Sequence, residues 1–325
     1  MLIQNNIPLH DKNWFQTGGP AKYYCQPTTA QEFQEAVQFA TSKKLPIFVL
    51  GEGANILISD AGFDGLVIHP EIEIVEHDTK TAQVIAGAGV GFSDLIEYCL
   101  EHQLLGLEEF SGIPGTVGGS VFINIHYFEF LLGQFLTAAE VIDTTTGEIL
   151  TVDNAWFNFG YNQTKLHDKR YFLVTATFKL KPCSALEAAF ARGRRTEIIR
   201  HRNQRYPISH TCGSFFRNFH EDEVTLMSNG KKIIFVAYYL DKIGVKGHLR
   251  VGGAIVSYKH ANMLVNQGTA TSDDLVQLAR QMQLLVFKHF GILPQAECQF
   301  VGFENYPLLT NVMDITMEKN LENTV

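Results

Sequence analysis

Gly106-Leu107-Glu108-Glu109-Phe110-Ser111-Gly112-Ile113-Pro114-Gly115-Thr116-Val117-Gly118-Gly119-Ser120 leads into the apolar Val121-Phe122-Ile123. Its second half crowds glycines around Pro114. Glycine permits positive φ and close backbone approach, and proline fixes one φ angle. That density suggests a shaped backbone surface whose N–H groups can face an anion. Composition fits a pair of tight turns between buried elements equally well, so the rest of the chain has to decide.

Upstream lies a second glycine loop, Gly51-Glu52-Gly53-Ala54-Asn55, between the apolar runs Leu45–Leu50 and Ile56–Ile58. A Rossmann loop joins a strand to a helix, so that pyrophosphate meets the helix N-terminus. Here Ile56-Leu57-Ile58 and Gly62–Ile68 read as strand, turn, strand. Neither loop is expected to open a helix, and both read as nests of backbone N–H groups.

Around these loops the pattern is mixed. Thr29-Ala30-Gln31-Glu32 is a capping box before a helix to about Lys43, and Ser93 is placed to cap a helix carrying Leu95, Ile96, Cys99 and Leu100. Ala138–Val152 reads as a hairpin turning at Asp143–Gly147, and Phe172–Leu180 alternates as a strand. After Pro182, Ser184–Glu187 opens an arginine-rich helix to about Arg205, whose arginines are expected on a solvated face. Phe235–Ile243 is a short helix ended by Gly244. Thr271–Phe290 carries the stripe Leu275, Leu278, Ala279, Met282, Leu285 and Val286, with Gly291 behind it. The fold class is α+β, with a strand-rich N-terminal half joined near Pro182 to a smaller lobe with long helices. A ligand between the lobes is the default expectation.

Bulk properties narrow the function classes. The chain has 325 residues, 46% hydrophobic and 18% charged, with formal net charge −8. That charge offers no basic field for nucleic acid. No apolar run approaches a membrane span and Met1–Asn6 lacks a signal-peptide pattern, so a cytoplasmic protein is expected. The five cysteines form no C-x-x-C pair and the twelve histidines no H-E-x-x-H cluster, so no metal site is expected.

Six blocks in order then carry a resemblance: Val49–Leu57, Gly112–Gly119, Cys212-Gly213-Ser214-Phe215-Phe216-Arg217-Asn218, Lys246–Ala254, Ala270–Ala279 and Ala296–Gly302. Together they make the chain similar to the bacterial UDP-N-acetylenolpyruvoylglucosamine reductases (UDP-N-acetylmuramate dehydrogenases) of peptidoglycan synthesis. The resemblance implies an FAD-binding domain of the vanillyl-alcohol-oxidase (PCMH) type over residues 1–182, in two subdomains meeting near 70–80. It also implies a substrate lobe over 183–303 and a C-terminal tail over 304–325. It assigns Gly51, Glu52, Gly53, Ala54, Asn55, Leu57, Ser111, Ile113, Pro114, Gly115, Thr116, Gly118 and Gly119 to the flavin. NADPH would reduce the FAD, which would pass hydride to the enolpyruvyl double bond of a UDP-sugar.

By the same resemblance Ser214 is the proton donor and Glu297 the second catalytic residue, while Tyr161, Asn162, Asn124, Lys246 and Asn266 contact substrate. A monomer is expected. The family pattern departs twice here. Its tyrosine-arginine pair, whose arginine holds the substrate carboxylate, is Tyr161-Asn162, and Gly-Ala-Tyr-Gly after Asn124 becomes the bulky Ile125-His126-Tyr127-Phe128-Glu129. An amide supplies neither the charge nor the fork of a guanidinium. Lys165, Arg170 and Arg217 are the candidates for the missing charge. The alternative function is an FAD-binding paralogue with another substrate or impaired catalysis.

Overall fold

The computed structural model describes residues 1–311. The chain divides into two compact units: Met1–Ile7, Ala21–Glu52 and Asp64–Arg202 form the first, and Pro8–Pro20, Gly53–Phe63 and Asn203 onward form the second.

The first unit contains two sheets. One takes strands from the first 68 residues in the order Gln4–Pro8, Pro20–Cys25, Phe63–Ile68, Ile47–Val49. In it, Ile47–Val49 runs parallel to Leu66–Ile68. Helix α1 (Ala30–Ser42) buries Phe33, Ala36, Val37 and Ala40, and its Thr29 cap accepts from Glu32 N at 3.2 Å. The other sheet is antiparallel, in the order Ile149–Asp153, Leu136–Asp143, Tyr171–Lys179, Gln83–Gly87, Val75–Asp78. The alternation expected for its central strand holds, since Val174, Ala176 and Phe178 are fully buried.

Helix α2 (Phe92–Glu101) starts earlier than Ser93 would allow as a cap. Gly91 is its N-cap residue and Ser93 lies inside the first turn, its hydroxyl accepting from Arg195 Nη2 at 2.8 Å. The glycine stretch also opens a helix after all, the short α3 (Val117–Phe122), which Thr116 caps by accepting from Gly119 N at 3.2 Å. Two glycines are poor helix formers, so packing supports this turn: Gly118 N–H donates to Ala88 O at 2.9 Å. A Cβ on Gly118 would come within 3.0 Å of that same oxygen.

Helix α4 (Ala185–Arg205) has its Ser184 cap, and Glu187 N donates to the Ser184 hydroxyl at 3.2 Å. Its arginine face is solvent-exposed, as expected, and is also paired: Arg194 and Arg200 are each 59% exposed. Arg192 and Arg195 engage Glu97, and Arg194 forks onto Glu109. Arg202 Nε donates to Gly112 O at 3.1 Å. These contacts place most of α4 in the first unit, so the division falls at Arg202 rather than near Pro182.

In the second unit, α5 (Val236–Lys242) and α6 (Ser272–Phe290) pack with the three-stranded sheet Arg250–Val251, Ala254–Val256, Leu264–Asn266. Thr271 and Asp274 cap α6 reciprocally, each bond 3.0 Å, and Gly291 ends it at φ +71°. Two earlier segments belong here. Ile56–Ile58 lies parallel to Gln299–Val301, and Asp60 Oδ2 accepts from Ser272 N at 2.7 Å, a carboxylate at a helix N-terminus. The expected tail begins as an integral part of this unit: Leu308 and Leu309 are buried, and Gln283 Nε2 donates to Leu309 O at 2.9 Å. Residues 312–325 of that expected tail lie outside the described residues.

Candidate active site

The first loop fits an anionic ligand. None of the N–H groups of Gly51, Glu52, Gly53, Ala54 and Asn55 donates to an acceptor among the described residues. Gly53 holds φ +67°, and a Cβ there would come within 2.5 Å of Asn13 Cα. Consecutive bare N–H groups on a glycine-rich turn are what a pyrophosphate requires. The segment passes from the first unit to the second at Glu52-Gly53.

The second loop differs from a donor nest. The N–H groups of Ile113, Val117, Gly118 and Ser120 are bonded to backbone carbonyls, and that of Gly119 to Thr116. The Ser111 hydroxyl donates to Glu108 O at 2.6 Å. Gly112, Gly115 and Pro114 therefore contribute shape more than hydrogen bonds. Within the first unit the two glycine loops meet: a Cβ on Gly51 would lie 2.7 Å from Thr116 Oγ1, and the Glu52 carboxylate accepts from Gly115 N–H. Burial pushes the Glu52 carboxyl up, against the pull of that N–H, and the Asp94 charge adds to the rise. Leu57 is fully buried in the second unit's core, so its side chain backs the loop and does not face a ligand.

Ser214 and Glu297 lie on one antiparallel pairing of the second unit. Phe216 bridges Ala296, and Arg217 N donates to Gln295 O at 2.9 Å. Glu297 N and Cys298 N both donate to Phe215 O, at 2.9 and 3.2 Å. Two donors on one carbonyl mark a bulge, a device that re-aims a side chain at functional sites. Gly213, at φ +77°, leads into the pairing, and the partly buried Ser214 hydroxyl has no hydrogen-bond partner among the described residues. Phe215 and Phe216 are fully buried beneath. Asn55 joins this assembly: its Nδ2 donates to Glu297 O at 3.3 Å, and Gln299 N donates to its carbonyl at 3.0 Å.

Asn262 is the residue that sequence reading missed. Its side chain accepts from Phe216 N at 3.1 Å and donates to Phe216 O at 2.7 Å, while its carbonyl accepts from Phe215 N at 2.8 Å. An asparagine in a loop carries no local sign of such a clamp.

The remaining expected substrate contacts divide. Asn124 is buried at φ +48°; its Nδ2 donates to Gly160 O at 2.9 Å and its Oδ1 accepts from Gly133 N at 2.8 Å. That amide ties loops together instead of facing outward. Asn266 is likewise occupied, donating to Phe15 O and accepting from Gly268 N and Ala270 N. Lys246 is half-buried, with its ammonium 3.5 Å from Asp241. Tyr161 is exposed on a turn with Asn162. The candidate replacement cations are engaged elsewhere. Arg170 pairs with buried Asp143, holding that carboxyl far below its usual range, and Arg217 forks onto Glu223. Lys165 lies over Trp156, 4.6 Å from the ring.

Among the described residues no group of histidine, cysteine, aspartate or glutamate could hold a metal, and no helix is long and apolar enough to cross a membrane.

Residues 21–153 match the FAD binding domain family, and residues 204–301 match the C-terminal domain of UDP-N-acetylenolpyruvoylglucosamine reductase. The UDP-N-acetylenolpyruvoylglucosamine reductase of Lactobacillus delbrueckii subsp. bulgaricus is 35% identical over 303 residues, 93% of this chain and 96% of its own. That of Listeria monocytogenes serotype 4a is 30% identical over the same shares. The crystal structure of UDP-N-acetylenolpyruvylglucosamine reductase from Thermus caldophilus superposes with TM-score 0.74 at 27% identity, covering 92% of this chain and all of that one. With an FAD-binding segment, a matching C-terminal domain and relatives aligned along nearly its whole length, this chain belongs to the UDP-N-acetylenolpyruvoylglucosamine reductase family.

Proposed function

We propose that the chain reduces the enolpyruvoyl group of a UDP-N-acetylglucosamine enolpyruvate to the lactyl ether of UDP-N-acetylmuramate, with NADPH as reductant. One observation carries the reading: Asn55, at the end of the loop of bare N–H groups, is hydrogen-bonded to Glu297, which in the strand pairing donates to Phe215 O, the residue after Ser214. Bound FAD supplies the hydride chemistry.

In this reading the Gly51–Asn55 amides hold the cofactor's anionic part, and the glycine surface at Gly112–Gly119 fits against its flat portions. Hydride addition beside a carboxylate builds enolate charge, which positioned donors must meet. Glu297 is the second catalytic residue, placed near the carboxylate of the intermediate. The Ser214 hydroxyl delivers a proton to the adjacent carbon; serine is a weak acid, so the proton moves only as the enolate's basicity develops. Tyr161 and Lys246 bind the UDP-sugar, and Asn124 and Asn266 position the loops that carry the contacts. A cytoplasmic monomer fits an enzyme of nucleotide-linked precursors. The alternative of a different substrate rests on the departure at Asn162 and is not favoured by relatives that align along nearly the whole chain.

The test is an anaerobic titration of the flavin spectrum. NADPH should bleach the flavin, and the enolpyruvoyl UDP-sugar should restore its colour. Bleaching without recovery would overturn the assignment.

A further inference from the structure

Gly160 and Gln163 close a tight turn, with hydrogen bonds of 2.9 and 3.3 Å running both ways between their backbones. Asn162 occupies it at φ +49°, which asparagine tolerates. Its amide oxygen and nitrogen are both withdrawn from solvent and bonded to nothing among the described residues. A buried polar atom left in that condition costs about 1–3 kcal/mol until a partner arrives. Asn124 secures the turn by donating to Gly160 O, so the amide is held in place.

Beside the turn, the His126 ring lies 4.6 Å from the Tyr161 ring at 52°. Burial pushes the imidazole below its ordinary value, so it is neutral in the free protein near pH 7. Glu129 lies exposed in the turn of its own hairpin, and the charges on the elements packed against it are engaged. Leu131 pairs with it across the hairpin. The one-turn helix Glu108–Phe110 packs against its strand, but Glu108 accepts from Gly106 N and Glu109 pairs with Arg194. The Arg202 guanidinium stands over the Tyr127 ring and donates to Gly112 O. The Tyr161 phenol is the titratable group facing the imidazole.

An enolpyruvoyl group ends in a carboxylate, and an amide alone cannot balance that charge in a partly buried site. A carboxylate beside a neutral imidazole raises its proton affinity and opposes the effect of burial. Building on the function proposed above, we propose that His126 and the Asn162 amide form the subsite for the substrate's carboxylate, and that His126 takes up a proton when the carboxylate arrives. The charge is thus supplied only with the ligand in place.

The experiment is calorimetric titration of the flavin-bound protein in two buffers of different ionisation enthalpy, near neutral pH. The enolpyruvoyl UDP-sugar should bind with uptake of up to about one proton, and UDP-N-acetylglucosamine, which lacks the carboxylate, with none. His126→Gln should abolish the uptake and weaken the enolpyruvoyl ligand about 10- to 100-fold, the worth of a hydrogen bond to a charged group. Its affinity for UDP-N-acetylglucosamine should not change, which also shows that the variant is folded. Asn162→Ala should weaken the enolpyruvoyl ligand while keeping the proton uptake. Buffer-independent heats in the wild type, or equal weakening of both ligands in His126→Gln, would overturn the subsite. If the wild type binds neither UDP-sugar, the proposed function fails and the subsite with it.

Discussion

Asn55 Nδ2 donates to Glu297 O across 3.3 Å, joining residues 242 positions apart in sequence. The bond fastens the end of a loop of bare N–H groups to the bulged segment that carries Glu297. Asn55→Ala should remove about 1 kcal/mol of stability, a loss of about 1–2 °C in melting temperature for a chain of this size. Its sharper effect should be kinetic, because Glu297 loses its tether. Stopped-flow traces should show the UDP-sugar half-reaction slowed more than reduction by NADPH. Equal rates for both half-reactions in mutant and parent would remove Asn55 from the positioning role.

Ser214→Ala tests the proton donor directly. Positioned proton transfer is worth about 10²–10⁴-fold in rate, and flavin reoxidation by the UDP-sugar should fall by that factor. Reduction by NADPH precedes the proton step and should be unaffected. A rate unchanged in both directions would take Ser214 out of the mechanism.

Asn262 grips Phe215 and Phe216 through three hydrogen bonds, and it is 3% exposed. Asn262→Ala should therefore cost about 2–4 kcal/mol in denaturant unfolding, since the backbone groups of Phe216 would be left buried and unpaired. A loss below about 1 kcal/mol would mean that water replaces the amide.

How far the sequence could be read follows from where the information sits. Local signals were sufficient for α1, α4 and α6, because Thr29 and Ser184 announce caps within four residues and the last helix carries an apolar stripe closed by Gly291. The start of α2 was misplaced because a serine before an apolar stripe is a good cap candidate, while Gly91 leaves no side-chain signature. The helix α3 was hidden because its support is the Ala88 carbonyl, a tertiary partner of two glycines with poor propensity. The arginines of α4 do form a solvated face, but their carboxylate partners, Glu97 and Glu109, were not legible because they lie about ninety residues earlier in the chain. For the same reason the unit boundary moved from Pro182 to Arg202. Ser214 and Glu297 were legible only through the family's motifs; their pairing needs a strand register that no local pattern encodes.

His260 sets a pH dependence of stability. Burial, with help from the Arg205 and Lys246 charges and against Asp241, pushes its imidazole down to about 4. Its Nδ1 accepts from Asn262 N at 3.3 Å, a bond that the neutral ring makes and the protonated ring cannot. An unfolded histidine takes its proton near 6.5, so between roughly pH 6.5 and 4 the unfolded chain binds more protons than the folded one. The sign follows: this contribution is intact above that window and is lost as pH falls through it. Denaturation midpoints measured from pH 7 to 4 should fall, and His260→Gln should flatten the decline. An unaltered profile in that variant would assign the acid sensitivity to other groups.

Gly51 and Thr116 test whether the meeting of the two glycine loops matters for flavin binding. A methyl on Gly51 would come within 2.7 Å of Thr116 Oγ1, the atom that caps Gly119 N at 3.2 Å. In Gly51→Ala the hydroxyl must yield, and the cap is lost with it, a penalty of about 0.5–2 kcal/mol on unfolding. The loop bearing the bare N–H groups shifts at the same time, so FAD should bind more weakly in a fluorescence titration of the apoprotein. Thr116→Ala alone gives up the cap but clears the space. Added to that background, Gly51→Ala should cost less than it does in the parent, a non-additivity expected only between groups that touch. Strict additivity of the two changes, in both stability and FAD affinity, would show that the loops act independently.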